Sequence, residues 1–367
     1  MIMHGGSRKA LVLVDTPGKL DEARKEWEHS KEFAVDTESE NNMHHYGTYV
    51  SLIQLSDGRK NWIVDAIRLK DVGPVIRLLE DPSRQKVFHD PDFDIRILRY
   101  QYMCSPRNIF DTQFAAILTG RKEIGLGPLL MEYFGAEKQK KYQKADWTKR
   151  PLTREMLEYA AGDVDHLLEL RDLLKAELER MGRLHWAEQA FRSLEHADLI
   201  LRNPTYQEVK GVNKLSPEEL SVFKELYKLR ENVAKRIDRP VHYVISNTML
   251  KNLSENPPSS DKGWRMLRGV HPFVRRNAGM FMRAVDLARK TSIRIPPKAK
   301  KRMNERQKRN IDRLEEDRKA IAEKLGIPAH LILSRNQMTD IAVTGNLSSL
   351  MSWQIYLLKN FHMKKKE

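Results

Sequence analysis

Cysteine is almost missing from this chain: Cys104 is the only one in 367 residues. A lone thiol can form neither an internal disulfide nor a thiolate zinc cluster, which excludes a disulfide-stapled secreted fold and a zinc finger. A reducing, cytoplasmic setting is therefore expected. No apolar run approaches the roughly 20 residues of a membrane-spanning helix, and mean hydropathy is −0.61. The opening MIMHGGSRKALVLVDTP has no signal-type apolar stretch and no small-residue cleavage site, so export is not expected. Acids are the minority charge, 50 against 65 Lys and Arg, giving +15 overall and a pI near 9.6. Neutralising phosphates releases counterions, so this balance favours a nucleic-acid partner over the plainer alternative of a basic soluble protein.

What is present divides the chain. Residues 10–15 and 31–38 read as strands around a helix, and 49–56 and 61–66 as a hairpin about Asp57-Gly58. A helix near 74–80, a strand at 86–89, a helix from 93 and a strand near 107–110 follow, and then mostly helix to about 195. Such mixing predicts a sheet covered by helices. Residues 196–215 read as a connector, and Ser216-Pro217-Glu218-Glu219 as a capped helix start. Residues 216–290 form a helical block. Residues 291–313, with nine Lys or Arg against two acids and Pro296-Pro297, read as a basic linker or contact surface. Residues 314–367 are helical again, with the tail KKKE. The segments YKLRENVAKRIDRPVHYVISNTMLKNLS and DRLEEDRKAIAEKLGIPAHLILSRNQMTDIA share one pattern, which predicts a duplicated module.

The chemistry is expected from scattered acids. Asp36 and Glu38, two apart on a strand, share a face. Tyr159 and Asp163, four apart on a helix, also share one. Asp94 opens an apolar helical run, with Asp90 and Asp92 as rivals better placed to cap the helix start. Clustered carboxylates are what two hard divalent ions require, and a nearby hydroxyl can orient an attacking water. The competing readings are ion pairing for the acids and core packing for Tyr159.

These residues resemble the motifs of the ribonuclease D family, three-prime-to-five-prime exoribonucleases of the DEDD superfamily. Asp36-x-Glu38 matches the first motif, Asp94 five residues after His89 the second, and Tyr159-x-x-x-Asp163 the third. SLIQL (51–55), FDTQFAA (110–116) and KKYQKADWTKRPL (140–152) are also similar to family segments. Residues 218–290 resemble the helicase-and-RNase-D C-terminal (HRDC) domain, and the last helical block a more divergent copy.

The resemblance implies an α/β, ribonuclease-H-like mixed sheet over residues 1–195. Two small all-α HRDC-type domains would follow, at 216–290 and 314–367, joined by the basic linker 291–313. It implies two Mg²⁺ or Mn²⁺ ions, one held by Asp36, Glu38 and Asp163 and the other by Asp36 with Asp94. Tyr159 would orient the water. It further implies a monomer acting on RNA with a single-stranded 3′ end, for which the family suggests precursor transfer RNA. His89, Gln54, Trp147 and Arg150 are candidate substrate contacts, with packing the alternative for His89, Trp147 and Arg150. His44, His45 and Tyr46 depart from the usual phenylalanine-containing loop and are expected to tune the terminal base. No cysteine or histidine cluster argues for zinc. A DNA 3′ exonuclease would use the same five residues, and a non-catalytic RNA-binding protein could keep the fold.

Overall fold

The computed structural model describes residues 9–197, 199–202, 204–295 and 303–364. The start of the chain, Pro296-Pro297 with the Lys and Arg of 298–302, and the last residues of the KKKE tail lie outside the described residues.

Among the described residues six strands form one mixed sheet: β1 (Ala10–Val14), β2 (Glu32–Asn41), β3 (Thr48–Ser56), β4 (Lys60–Asp65), β5 (Gln85–Phe88) and β6 (Ile109–Asp111), in the order β1-β4-β3-β2-β5-β6. β2–β3 and β3–β4 are antiparallel, whereas β1–β4, β2–β5 and β5–β6 are parallel. Side chains alternate across a strand, and β2 shows why this sequence makes a central strand. Phe33 and Val35 enter one core with Ile53, Trp62 and Ile97, while Ala34 enters another with Val87, Phe110 and Leu174. Asp36 and Glu38 extend the Ala34 face beyond the point where apolar burial ends. Among the described residues no helix is long and apolar enough to cross a membrane.

The helix Pro217–Ile237 begins as its sequence predicts. Ser216 Oγ accepts from Glu219 N (3.2 Å), Glu219 Oε2 accepts from Ser216 N (2.7 Å), and Pro217 takes the first turn. The duplication is present in detail. From Pro217 to Glu305, 88 residues on, a second 21-residue helix (Glu305–Leu325) starts with its own capping box, Asn304 with Gln307. Each long helix is followed by a four-residue helix and a Ser-capped third one, Val241–Val244 then Asn247–Glu255, and Ala329–Ile332 then Arg335–Thr344. Arg230 donates to Ile245 O (3.1 Å) and its counterpart Arg318 to Leu333 O (2.7 Å).

Two boundaries differ from the expected ones. The second long helix begins at Glu305, inside the expected 291–313 linker, because Asn304 and Gln307 cap it there. The block expected as a separate domain at 314–367 does not keep a core of its own. Leu314, Ile321, Ile332 and Trp353 share one cluster with Leu118, Leu178 and Trp186 of the sheet domain. Trp186 and Trp353 stack at 4.9 Å and 11°, and Arg183 donates to Leu325 O (2.8 Å).

Candidate active site

Asp36 and Glu38 project from β2 on the face covered by the helix Arg154–Gly162. Thr153 caps that helix by accepting from Met156 N (3.3 Å), and Asp163 stands at its last turn. Helix and strand thus bring Asp36, Glu38 and Asp163 together, each offering a carboxylate oxygen within 4.8 Å of the others. Just past Glu38 the β2–β3 register shifts at a bulge that passes over Ser51, which re-aims the strand end beside the site.

Asp94 reaches the site from another direction. Thr37, on the opposite face of β2, donates to Asp94 Oδ1 (2.5 Å). Asp94 therefore lies outside the three-carboxylate group, yet its charge is felt by both Asp36 and Glu38. Its rivals do other work: Asp92 pairs with Arg96 (2.7 Å), and Asp90 N donates to Asp111 (3.0 Å).

Burial, then repulsion from Asp163, holds the Asp36 and Glu38 carboxyls well above the usual carboxylate range. Burial lifts Asp94 to about 6 against the Thr37 hydrogen bond, and raises Asp163 against the attraction of Lys138. The Tyr159 phenol is raised by burial and by Asp163, Glu38 and Asp36, so it stays protonated and is a donor rather than a base. Clustered buried carboxylates are costly unless cations neutralise them. An all-oxygen donor set of this kind fits a hard divalent ion, and Lys138, paired with Asp163, supplies part of that positive charge from the protein itself.

The aromatic wall is ordered. Tyr159 has Tyr142 at 5.8 Å and 67°, Trp147 at 5.8 Å and 37°, and the Lys138 ammonium 5.8 Å over its ring. Sequence reasoning missed Lys138, Tyr142 and Thr37. Thr37 sits between the two motif acids, but the lysine-rich run EKQKK gives no sign which lysine turns inward.

For Trp147 and Arg150 the fold carries the packing alternative, and Gln54 is withdrawn from the surface. Gln54 lies opposite Asp36 in the strand register and is 0% exposed, so it offers no surface to a nucleotide. Trp147 is buried and packs beside Tyr159. Arg150 has its five N–H groups engaged, by Asp65 (2.5 and 2.7 Å), Trp147 O, Lys149 O and Ser51 O, and so fixes the DWTKRPL segment to β3 and β4. His89 behaves as the packing alternative held. Its Nδ1 lies 2.9 Å from Thr112 Oγ1, and burial pushes it down to about 4, which keeps it neutral. The loop expected to tune the terminal base faces the helical block instead. Tyr46 N donates to Asp238 (3.2 Å), the Tyr46 hydroxyl to Glu231 (3.3 Å), and His45 Nδ1 lies 2.7 Å from Asp238.

Comparison with known proteins adds an independent line. Residues 11–179 match the family described as 3′–5′ exonuclease, and residues 219–285 the HRDC domain. Ribonuclease D of Pseudomonas paraeruginosa is 31% identical over 262 residues, 70% of this chain and 69% of that protein. Protein RRP6-like 2 of Arabidopsis thaliana is 32% identical over 264 residues, 67% of this chain, which spans only 30% of that longer relative. The crystal structure of Escherichia coli RNase D, an exoribonuclease involved in structured RNA processing, aligns over 96% of this chain and 98% of its own. Its TM-score is 0.70 at 24% identity, a likeness of fold.

Proposed function

The chain belongs to the ribonuclease D family of 3′–5′ exoribonucleases, and on that premise we propose that it hydrolyses single-stranded RNA 3′ ends to nucleoside 5′-monophosphates. The observation that carries the proposal is the convergence of Asp36, Glu38 and Asp163 within 4.8 Å, at a place where burial resists their charge. Asp36, Glu38 and Asp163 would hold one divalent ion, and Asp36 with Asp94 a second. Bound there, the ions supply charge for the displaced oxygen and acidify the attacking water.

The rest is work for this chain's own groups. The Tyr159 phenol, packed against Tyr142 and Trp147, orients the water by a hydrogen bond and takes no proton from it. Thr37 fixes one oxygen of Asp94, so that the other is the one presented. Lys138 offsets negative charge beside Asp163 and stands over the Tyr159 ring. The all-oxygen set suits Mg²⁺ or Mn²⁺. The +15 chain and its basic helical blocks suit phosphate-backbone contacts on a structured RNA with an unpaired end, precursor transfer RNA being the class we propose.

A 5′-labelled RNA with an unpaired 3′ end, incubated with Mg²⁺ beside the same sequence as DNA, tests this reading. A ladder shortening by single nucleotides on RNA alone is expected. Equal trimming of DNA would make the chain a general 3′ exonuclease, and retention of RNA without shortening a binding protein.

A further inference from the structure

The loop from β2 to β3 carries the pair His44-His45, and the fold sets His44 beside Glu40 and Asp146 and His45 beside Asp146. We propose that these four side chains form a second metal site, separate from the carboxylate centre and suited to Zn²⁺. The candidate ligand atoms of Glu40, His44 and Asp146 lie within 4.8 Å of one another, and His45 joins this group from its edge, through Asp146. His44 Nδ1 is 3.5 Å from Glu40 Oε2, and His45 Nε2 is 3.5 Å from Asp146 Oδ2. These separations exceed a hydrogen bond, normally about 2.7–3.2 Å for N–H···O. They come close to the edge of a tetrahedral zinc site, where bonds of about 2.0–2.1 Å place two ligands about 3.3 Å apart.

Three of the four ligands are already aimed by their other atoms. Glu40 Oε1 accepts from the backbone N–H of Met43 and His44, which leaves Oε2 toward the His44 ring. Asp146 Oδ1 accepts from Thr148 N (3.1 Å) and Thr148 Oγ1 (2.5 Å), which leaves Oδ2 toward His45. His45 Nδ1 lies 2.7 Å from the Asp238 carboxylate, which leaves Nε2 toward Asp146. Carboxylates that hold the far nitrogen of a metal-binding histidine are a recurrent feature of such sites.

The loop itself is closed by Asn42 N donating to Gly47 O and Gly47 N to Asn42 Oδ1, both 2.9 Å, with Gly47 at φ +98. Glu40 is 2% exposed, so its free oxygen is withdrawn from water. The nearest competing cation, Lys149, is 3.9 Å from Asp146 Oδ2 on a side chain 76% exposed. Two imidazoles and two carboxylates distinguish this set from the all-oxygen catalytic one. Because Asp238 lies in the HRDC domain, an ion here ties that domain to the end of the strand that bears Asp36 and Glu38.

Co²⁺ added to the metal-stripped full chain tests the proposal. A four-coordinate site with histidine ligands absorbs visible light far more strongly than a six-coordinate all-oxygen one. Wild type should show this absorption, saturating at a single ion per chain and abolished by excess Zn²⁺. It should persist in Asp36→Asn and disappear in His44→Ala and in His44→Gln, with circular dichroism unchanged. Asp238→Asn should weaken Co²⁺ binding by about 10–100-fold. Absence of the strong absorption in wild type, or its survival in both His44 variants, would overturn the site.

Discussion

The two helical blocks are built alike and placed differently. Each has the 21-residue capped helix, the four-residue helix, the Ser-capped third helix and an arginine donating to a carbonyl. The first keeps a core of its own around Phe223, Trp264 and Phe281. It meets the nuclease domain through Tyr46 and His45, which bond Asp238 and Glu231 while the Tyr46 side chain packs at the edge of that core. The second has given its apolar face to the nuclease core, with Trp353 stacked on Trp186. A repeated local pattern therefore specifies a module, while the apolar residues outside the pattern decide what it packs against.

The largest test of that contrast compares the tryptophans. Trp353→Ala should cost about 3–5 kcal/mol, and hydrogen exchange should show protection lost in the helix Leu184–His196 of the nuclease domain as well. Trp264→Ala should cost a similar amount in the first block and leave Leu184–His196 protected. Equal loss there in both variants would show that the two blocks are coupled to the nuclease core alike.

A smaller effect, read in the nuclease domain alone, is a pH dependence. Lys86 is fully buried, donates to Asp81 O (2.5 Å) and Arg84 O (2.6 Å), and burial lowers it from 10.5 to about 8. The unfolded chain binds a proton at Lys86 that the folded chain does not between these values, so the contribution of Lys86 to stability should rise with pH from about 8 to about 10.5. That gain is fully present above the upper value and lost as pH falls through the lower one. The gap in urea midpoint between wild type and Lys86→Met should shift in favour of wild type as pH climbs over this range, and a constant gap would remove Lys86 as a cause.

The smallest effect concerns Gly162, which closes the helix carrying Tyr159. A Cβ there would meet nothing within 4 Å. Gly162→Ala should stabilise the nuclease domain by about 0.5–1 kcal/mol in thermal melts, and a loss of stability would mean that the helix end needs glycine.

Much of this was legible in the chain itself, for a physical reason. β2 could be read because Phe33, Ala34 and Val35 are buried on both faces and the acids follow at once. The capped start at Ser216 could be read because capping is a contact between near neighbours. Period-2 and period-4 spacing placed Asp36 with Glu38 and Tyr159 with Asp163, although their meeting needed the fold. Contacts across long separations stayed hidden. Arg150 on Asp65, Lys138 on Asp163 and His45 between Asp146 and Asp238 depend on packing that no local pattern encodes. The same cause left Trp147 and Arg150 open between packing and substrate and hid the histidine pair's partners.

The central claim is that the half-buried carboxylates of β2 and the buried Asp163 at the end of the helix Arg154–Gly162 hold the divalent ions that make this chain an exoribonuclease. The most direct measurement is the rate of 3′-nucleotide release from labelled RNA against Mg²⁺ concentration, for wild type and for Asp36→Ala, after chelation of both. The account predicts no release without Mg²⁺, saturable recovery in wild type, and none in a variant whose circular dichroism is unchanged. Release under chelation, or Mg²⁺-dependent release by folded Asp36→Ala at the wild-type rate, would contradict it.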